Sequence, residues 1–120
     1  MGKNTLVLGA SANPERYSNR AVRKLRAYGH AVVAVGRRVG MIDDQPILTK
    51  MPDDMSIDTV TMYLNAHNQE AWEKAILDVS PARIIFNPGA ENPRLSAKAE
   101  ERGIEVVEGC TLVMLGTGQY

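Results

Sequence analysis

Short apolar, β-branched segments alternate with amphipathic segments along the chain, and this alternation restricts the fold more than any other feature of the sequence. Strands are predicted at 5–8, 31–35, 58–64, 82–86 and 104–107. Helices are predicted at 18–28, 67–79 and 93–103, with a last short helical turn at 111–115. Segment 37–56 is less regular and predicts a loop with a short extra strand or turn. Strands that alternate with helices indicate a parallel sheet covered by helices on both faces.

The predicted fold is therefore one Rossmann-like α/β domain over residues 1–120, with three layers. Right-handed crossovers leave few arrangements for its five-stranded, mainly parallel sheet, and we expect the strand order 3-2-1-4-5. Ligands of such sheets bind beyond the carboxyl ends of the strands, where the winding direction reverses. In this order the reversal lies between the first and fourth strands. The connections at 9–18, 36–42, 64–67 and 87–92 are therefore the expected location of a site.

The sequence shows neither a membrane-spanning stretch nor a secretory signal. Its first apolar segment, Thr5 to Leu8, is too short for the apolar part of a signal peptide. No stretch approaches the roughly 18 apolar residues that a membrane span needs. The one cysteine, Cys110, cannot form an internal disulfide. We therefore expect a reducing, cytoplasmic setting and no membrane partner.

Charge is distributed unevenly along the chain, although the net charge is zero. Residues 1–38 contain eight Lys or Arg and one acid, whereas the remaining residues contain six basic and thirteen acidic side chains. This asymmetry indicates that the first third of the protein faces an anion. For the basic residues of helix 18–28, a solvated surface position is the simpler interpretation. For Arg16, Arg37 and Arg38, which fall in predicted loops, a ligand contact is favoured.

The loop at residues 9–18 leads from a buried strand into a helix. A helix start presents unpaired backbone N–H groups and partial positive charge, which suit a phosphate. The loop is not a dinucleotide-binding G-x-G-x-x-G motif, and no Gly-Lys-Ser/Thr follows as in a P-loop. A tight turn without a ligand is the alternative. The residues predicted to bind a phosphate here are Gly9, Ala10, Ser11, Asn13, Arg16 and Ser18.

The second signal follows the second predicted strand, where the sequence is Gly36-Arg37-Arg38. An NAD-binding domain places an acid there for the ribose hydroxyl, and this chain has two guanidinium groups instead. Arginine matches phosphate oxygens and stacks on flat bases. A ligand with an extra ribose phosphate is favoured, which coenzyme A and NADP both satisfy. Pro88 and Gly89, after the fourth strand, are further predicted contacts.

In these features the sequence resembles the small stand-alone CoA-binding proteins, whose domain is similar to the N-terminal CoA-binding domain of the succinyl-CoA synthetase α subunit. The resemblance covers roughly residues 5–115 and implies a Rossmann-like fold with coenzyme A bound by loops 9–16 and 36–38. The synthetase's second domain, with its phosphorylated histidine, is missing, so synthetase activity is not implied. The resembling segments are 7–11 with Asn13-Pro14, Arg16, Ser18 and Arg20; Gly29-His30; Val35 with Arg37-Arg38; Asp58-Thr59-Val60; Asn87-Pro88-Gly89; and 103–107 with Gly109-Cys110.

Candidate catalytic residues are few. His30 is expected in a turn, and His67 and Glu91 in capping or surface positions near the ligand edge, with a ligand contact as the alternative for both. Cys110 is expected to pack as a small apolar residue, the alternative being a thiol that forms a mixed disulfide with coenzyme A. The sequence shows no Ser-His-Asp set, carboxylate pair or metal-ligand spacing. We therefore expect no enzyme activity.

The leading hypothesis is a non-catalytic domain that binds coenzyme A or an acyl-CoA. The alternatives are an NADP-dependent oxidoreductase and another nucleotide-binding regulatory or interaction protein. Nucleic acid is not an expected partner, because no aromatic stacking platform accompanies the basic helix. A homodimer and a complex with a partner protein are both compatible with the sequence.

Overall fold

The computed structural model describes residues 2–53 and 55–120, and within them one sheet of seven short strands is flanked by helices. The strands are β1 (Thr5–Leu8), β2 (Val32–Val35), β3 (Gly40–Ile42), β4 (Gln45–Leu48), β5 (Thr59–Met62), β6 (Arg83–Phe86) and β7 (Glu105–Glu108). The helices are α1 (Tyr17–Ala27), α2 (Ala66–Gln69), α3 (Glu73–Val79), α4 (Pro93–Glu101) and α5 (Thr111–Gly116).

The predicted α/β class and mainly parallel sheet are confirmed, whereas the predicted strand number and order are wrong. The order is β3-β4-β2-β1-β5-β6-β7, and β3 alone among the described strands runs antiparallel to its neighbour. The third predicted strand, now β5, pairs with β1 rather than lying outside β2. The winding therefore reverses between β1 and β5, not between the first and fourth predicted strands.

The physical reason is a hairpin that occupies the outer edge of β2. Strands β3 and β4 form within the irregular segment 37–56, and Ile47 of β4 lies opposite Ala34 of β2. Because successive side chains of a strand point to opposite faces of the sheet, Ile42 and Ile47 are buried while Met41 and Leu48 stay exposed. With this edge of β2 taken, the chain returns to the free side of β1.

The hairpin is also tied to helix α1 by ion pairs. Arg26 contacts the carboxylate of Asp44 at 2.6 Å, and Arg23 lies 3.7 Å from Asp43. Both pairs are largely exposed, so each contributes little to stability. They account for two basic side chains of α1 through surface contacts, in agreement with the simpler interpretation of that helix.

Two apolar cores lie on opposite faces of the sheet, as three layers require. One packs β-strand residues against α3 and α4, and it includes Leu6, Leu8, Val60, Ile76, Ile84, Phe86, Leu95 and Ala99. The other packs them against α1, the hairpin and α5, and it includes Val7, Ala34, Val22, Leu25, Ile42, Ile47 and Leu115. Full burial of each large side chain contributes about 1.5–3 kcal/mol.

Helix boundaries follow local chemistry. The side chain of Asn92 accepts a hydrogen bond from the Leu95 N–H at 3.1 Å, and Pro93 occupies the first helical position of α4, as predicted. Gly29 has a φ of +86° and ends α1. The helix predicted over 67–79 is instead interrupted: a 3₁₀ turn, Glu70–Trp72, separates α2 from α3.

Candidate functional site

One cavity of about 780 Å³ opens at the carboxyl edge of the sheet, beyond the ends of β1, β2, β5 and β6. It lies at the β1/β5 reversal of winding, the position where sheets of this type bind ligands. The structure brings all the sequence-predicted binding residues together here except Gly36. The lining residues are Gly9 to Asn13, Arg16 to Ser18, Arg37 to Val39, Tyr63 to Asn65, Asn68, Pro88 and Gly89.

The loop after β1, which we call the Ser11 loop, is held in shape by hydrogen bonds to β2 and by one within the loop. The N–H groups of Gly9 and Ala10 both donate to the Val35 carbonyl at 2.9 Å, which fastens the loop to the end of β2. Further on, Ser11 Oγ accepts from the Asn13 N–H at 3.1 Å. The Ser11 oxygen acts as acceptor in this bond, so its O–H can still donate to a ligand.

The start of α1 faces the same cavity. Arg16 is the N-cap residue, it makes no side-chain capping hydrogen bond, and no acid lies in the first turn. The first N–H groups of a helix lack partners within it and carry partial positive charge. Ser18, at the second position, is buried with 4% of its surface exposed. This end of the helix therefore presents amide and hydroxyl donors to an anion.

Asn19, a residue of helix α1, supports the loop after β1, and this role was not predicted from the sequence. Its side chain is fully buried, and its Nδ2 donates to the Ser11 carbonyl at 2.9 Å. Its Oδ1 accepts from Arg23 Nε at 2.8 Å, one helical turn later. A polar residue on the apolar stripe of a helix was the available signal. Asn19 therefore fixes the loop after β1 to helix α1.

Gly36 does not line the cavity, and its function is steric. A β-carbon at this position would collide with the carbonyl oxygen of Ala10. Its N–H donates to the Leu48 carbonyl at 2.8 Å, which extends the β2–β4 pairing. Glycine therefore permits the loop after β1 and the chain after β2 to pass in contact.

Arg37 and Arg38 are exposed and line the cavity on the side of β2. Among the described residues, no acid lies within salt-bridge distance of Arg16, Arg37 or Arg38. Arg23 and Arg26 of α1, by contrast, are paired with acids of the hairpin. The three guanidinium groups give this side of the cavity a positive charge, and we call it, with the loop after β1 and the start of α1, the charged side.

We call the opposite side, formed by residues 63–68 and 88–89, the neutral wall, because it carries no charged lining residue. Sequence reasoning identified Pro88 and Gly89 there. It drew attention to the connection after β5 but considered only His67, which is exposed and lies outside the lining. Asn65 caps α2 by accepting from the Asn68 N–H at 2.8 Å. Capping asparagines of this kind were the signal that was missed.

Tyr63 lines the same wall, but its hydroxyl oxygen is buried in the interior, close to Cys110 and Thr111. Within the described part of the chain, its oxygen is buried without a hydrogen-bond partner. Burial raises the pKa of Tyr63 well above its usual value, and the nearby Cys110 adds to this effect. The hydroxyl therefore stays protonated at neutral pH and belongs to the packed interior behind the wall.

A buried amide supports the floor beneath the cavity. Asn87 Nδ2 donates to Thr61 Oγ1 and to the Met62 carbonyl, both at 2.8 Å. Its Oδ1 accepts from the Thr111 N–H at 2.8 Å. One side chain thus joins the ends of β5 and β6 to the beginning of α5.

The remaining sequence candidates lie outside the cavity lining. Glu91 accepts a hydrogen bond from the Gly89 N–H at 3.0 Å, which closes the turn after β6. His30 Nδ1 accepts from the Lys3 N–H at 2.9 Å on the opposite edge of the sheet. Cys110 is half-buried and is the N-cap residue of α5. Residues 2–53 and 55–120 contain no group of three or more His, Cys, Asp or Glu side chains that could hold a metal ion.

Fold and cavity together define a small Rossmann-like α/β domain whose cavity is lined by the loop after β1, the start of α1 and three arginines. The family model described as the CoA binding domain matches residues 3–116. This protein therefore belongs to the CoA-binding domain family, as the resemblance implied. A search of curated proteins gave no significant match. No helix in the described part of the chain is long and apolar enough to cross a membrane.

Solved structures share the fold over nearly the full chain. A crystal structure of an uncharacterized protein has a TM-score of 0.97 at 42% identity, covering 100% of this chain and 99% of that one. A hypothetical protein from Pyrococcus horikoshii OT3 has a TM-score of 0.86 at 21% identity, covering 97% and 83%. A Thermus thermophilus protein, cell-free ID.343, has a TM-score of 0.85 at 18% identity, covering 98% and 91%. The two distant structures bear on the fold alone.

Proposed function

We propose that this protein binds coenzyme A or an acyl-CoA as a non-catalytic cofactor-binding domain. The observation that carries the proposal is the convergence of the Ser11 loop, the start of α1, and Arg37 and Arg38 on one cavity. Membership of the CoA-binding domain family supports the same ligand. A volume of about 780 Å³ is within the range of small-molecule and cofactor sites.

The donors on the charged side fit the phosphates of this ligand. Coenzyme A has a pyrophosphate and a 3′-phosphate, so it needs several donors with positive charge. The Ser11 hydroxyl and the first amides of α1 suit the pyrophosphate. Arg37 and Arg38, on the far side of the loop after β1, suit the ribose phosphate and the flat adenine ring.

The neutral wall fits the rest of the molecule. The pantetheine arm of coenzyme A is uncharged and carries two amide groups and a thiol or thioester. Asn65 and Asn68 provide side chains that can donate to and accept from amides, and Leu64 provides an apolar contact. We therefore propose that the phosphates lie against the arginines and that the arm runs along the neutral wall.

The composition of the lining supports a binding role without catalysis. Among the described residues that line the cavity, none is a carboxylate, histidine or cysteine. Such groups supply most general acids, bases and nucleophiles at neutral pH.

Calorimetric titration with CoA, with NADPH as competitor, tests the proposal. We expect CoA to bind and NADPH to compete weakly, because the neutral wall suits an extended amide arm. Arg37→Ala and Arg38→Ala should each weaken CoA binding, whereas Arg102→Ala, which removes an exposed arginine outside the cavity, should not. Tight NADPH binding that CoA cannot displace would support the oxidoreductase alternative instead.

We further propose a cytoplasmic location, in line with the single unpaired cysteine. A homodimer and a complex with a partner protein remain predictions.

A further inference from the structure

A buried glutamine side chain joins the two segments that form the neutral wall. Gln69, the last residue of α2, has no exposed surface. Its Nε2 donates to the Leu64 carbonyl at 2.8 Å and to the Ala90 carbonyl at 2.7 Å. The first carbonyl belongs to the chain after β5 and the second to the turn after β6. One NH₂ group therefore spans two connections that come from different strands.

The acceptor end of the same amide is also occupied. Asn92 Nδ2 donates to Gln69 Oε1 at 2.8 Å, and Asn92 Oδ1 caps α4 by accepting from the Leu95 N–H at 3.1 Å. Both donors of Gln69 and one lone pair of its oxygen are used. The connected chain Leu64–Gln69–Asn92 ties the neutral wall to the start of a regular helix.

The ends of β5 and β6 are joined by the Asn87 side chain, and the backbone pairing between the two connections ends there. The last backbone hydrogen bond between them, from the Asn87 N–H to the Met62 carbonyl, is long at 3.4 Å. Beyond it, Asn65 and Asn68 on one connection and Pro88 and Gly89 on the other reach the cavity. Beyond the strand ends, the side-chain hydrogen bonds found between the two connections among the described residues are those of Gln69.

We infer that Gln69 is a positioning residue that sets the spacing of the neutral wall and thereby the affinity for the uncharged arm of coenzyme A. The inference rests on the proposed function. Gln69 lies outside the lining, so it acts through the two connections and does not touch the ligand. We expect its main effect on the neutral wall, because the charged side is built on β1, α1 and β2 and meets the wall through the contact of Gly9 with Tyr63 and Leu64.

No other side chain of similar size reproduces these contacts. A glutamate would place an acceptor oxygen against the Leu64 and Ala90 carbonyls, and a methionine would leave both carbonyls without a donor. Buried polar groups that lose their partners are costly, so the two connections would separate or admit water. The charged side would keep its hydrogen bonds.

The test compares CoA with a ligand that lacks the arm. Adenosine 3′,5′-bisphosphate keeps the adenine, the ribose 3′-phosphate and one 5′-phosphate, and it lacks the second phosphate of the pyrophosphate and the whole pantetheine arm. We expect Gln69→Met to raise the Kd for CoA about tenfold, as expected for lost neutral hydrogen bonds, and the Kd for the bisphosphate less than about twofold. Equal weakening of both ligands, or an unchanged Kd for CoA, would overturn the inference.

Ile76→Val is the matched control for stability. It removes one methyl group from the fully buried core of α3 and leaves the Gln69 contacts intact. We expect it to lower the Tm while both Kd values stay as in the wild type. If it changes the ratio of the two Kd values as Gln69→Met does, loss of stability alone explains the effect and the inference fails.

A second variant covers the case in which Gln69→Met does not fold. Asn92→Asp keeps the acceptor that caps α4 but loses the donor to Gln69 Oε1. We expect a selective loss of CoA affinity in the same direction, and equal Kd changes for both ligands would overturn the inference. If the wild-type protein binds neither ligand, the proposed function fails; if it binds CoA but neither variant alters the ratio, the inference alone fails.

Discussion

Gly36 and Ala10 lie in such close contact that no β-carbon can be placed between Gly36 and the Ala10 carbonyl oxygen. This contact joins the connection after β2, which carries Arg37 and Arg38, to the loop after β1, which carries Ser11. The two halves of the charged side therefore have one relative position. The absence of a side chain at Gly36 is what allows the arginines and the helix start to face one ligand.

Gly36→Ala should separate these two connections. We expect the free energy of unfolding to fall by about 1–3 kcal/mol, the range for an overpacked site, with weaker CoA binding. Urea denaturation and calorimetric titration measure the two effects. Gly109→Ala is the control, because a β-carbon there meets its nearest neighbour, Val107 Cγ1, at 3.5 Å. A stable Gly36→Ala protein with wild-type affinity would contradict the steric role of Gly36.

Substitution of Asn87 should destabilise the whole domain. Asn87→Ala removes one acceptor and two donated bonds from a buried site, and it leaves the Thr111 N–H and the Met62 carbonyl without these partners. We expect a loss of about 2–3 kcal/mol in the free energy of unfolding. Asn4→Ala removes an exposed hydrogen bond to the Ser56 carbonyl and should cost far less. Equal losses in the two variants would show that the Asn87 network contributes little.

Arg37 and Arg38 should contribute to the affinity for CoA through their positive charge. Arg37→Ala and Arg38→Ala should each weaken CoA binding about ten- to a hundredfold at low salt, the range for a charge-assisted hydrogen bond. The difference from the wild type should shrink as ionic strength rises, because exposed charges are screened. Titrations at two salt concentrations check this. A loss of affinity that does not change with salt would contradict an electrostatic role.

Stability should decrease in mildly acidic solution because of His30. Burial lowers the pKa of His30, and the neighbouring charges of Lys3 and Arg83 lower it further. The unfolded chain, in which the pKa is about 6.5, therefore binds the proton more readily than the folded one, and stability is lost as the pH falls below that value. Protonation also removes the acceptor of the Lys3 N–H.

Thermal unfolding between pH 7.5 and pH 5 checks this expectation. His30→Gln, which does not titrate, should show a smaller decrease in Tm over this interval than the wild type. Identical pH profiles for the two proteins would contradict the contribution of His30.

The sequence was sufficient to predict the elements of the core but not their arrangement. The five strands predicted from apolar segments, β1, β2, β5, β6 and β7, are all present, and the capping of α4 by Asn92 follows from local chemistry alone. The order could not be predicted, because β5 fits equally well beside β1 or β2 by composition. The hairpin decides between these positions, and its strands have only two buried residues, Ile42 and Ile47.

The charged side of the site was predicted more completely than the neutral wall. A Gly-Ala-Ser loop between a strand and a helix, and arginines after the next strand, are typical of anion binding. Gly9, Ser11 and Arg37 were therefore predicted as ligand contacts. Asn65 gives only the signal of a helix cap, which marks where α2 begins and does not indicate a ligand, and Asn68 gives no signal of its own. Gln69 lies near the beginning of a predicted helix, where a polar residue is expected to be exposed. Its burial depends on the strand order, which could not be predicted from the sequence.

The most direct measurement is a crystal structure of the protein soaked in coenzyme A. We predict that the pyrophosphate lies against the Ser11 loop and the start of α1, with Arg37 and Arg38 directed at the phosphorylated ribose and the arm along residues 63–68. Arginines that point into solvent, with no ligand density at the Ser11 loop, would contradict the account.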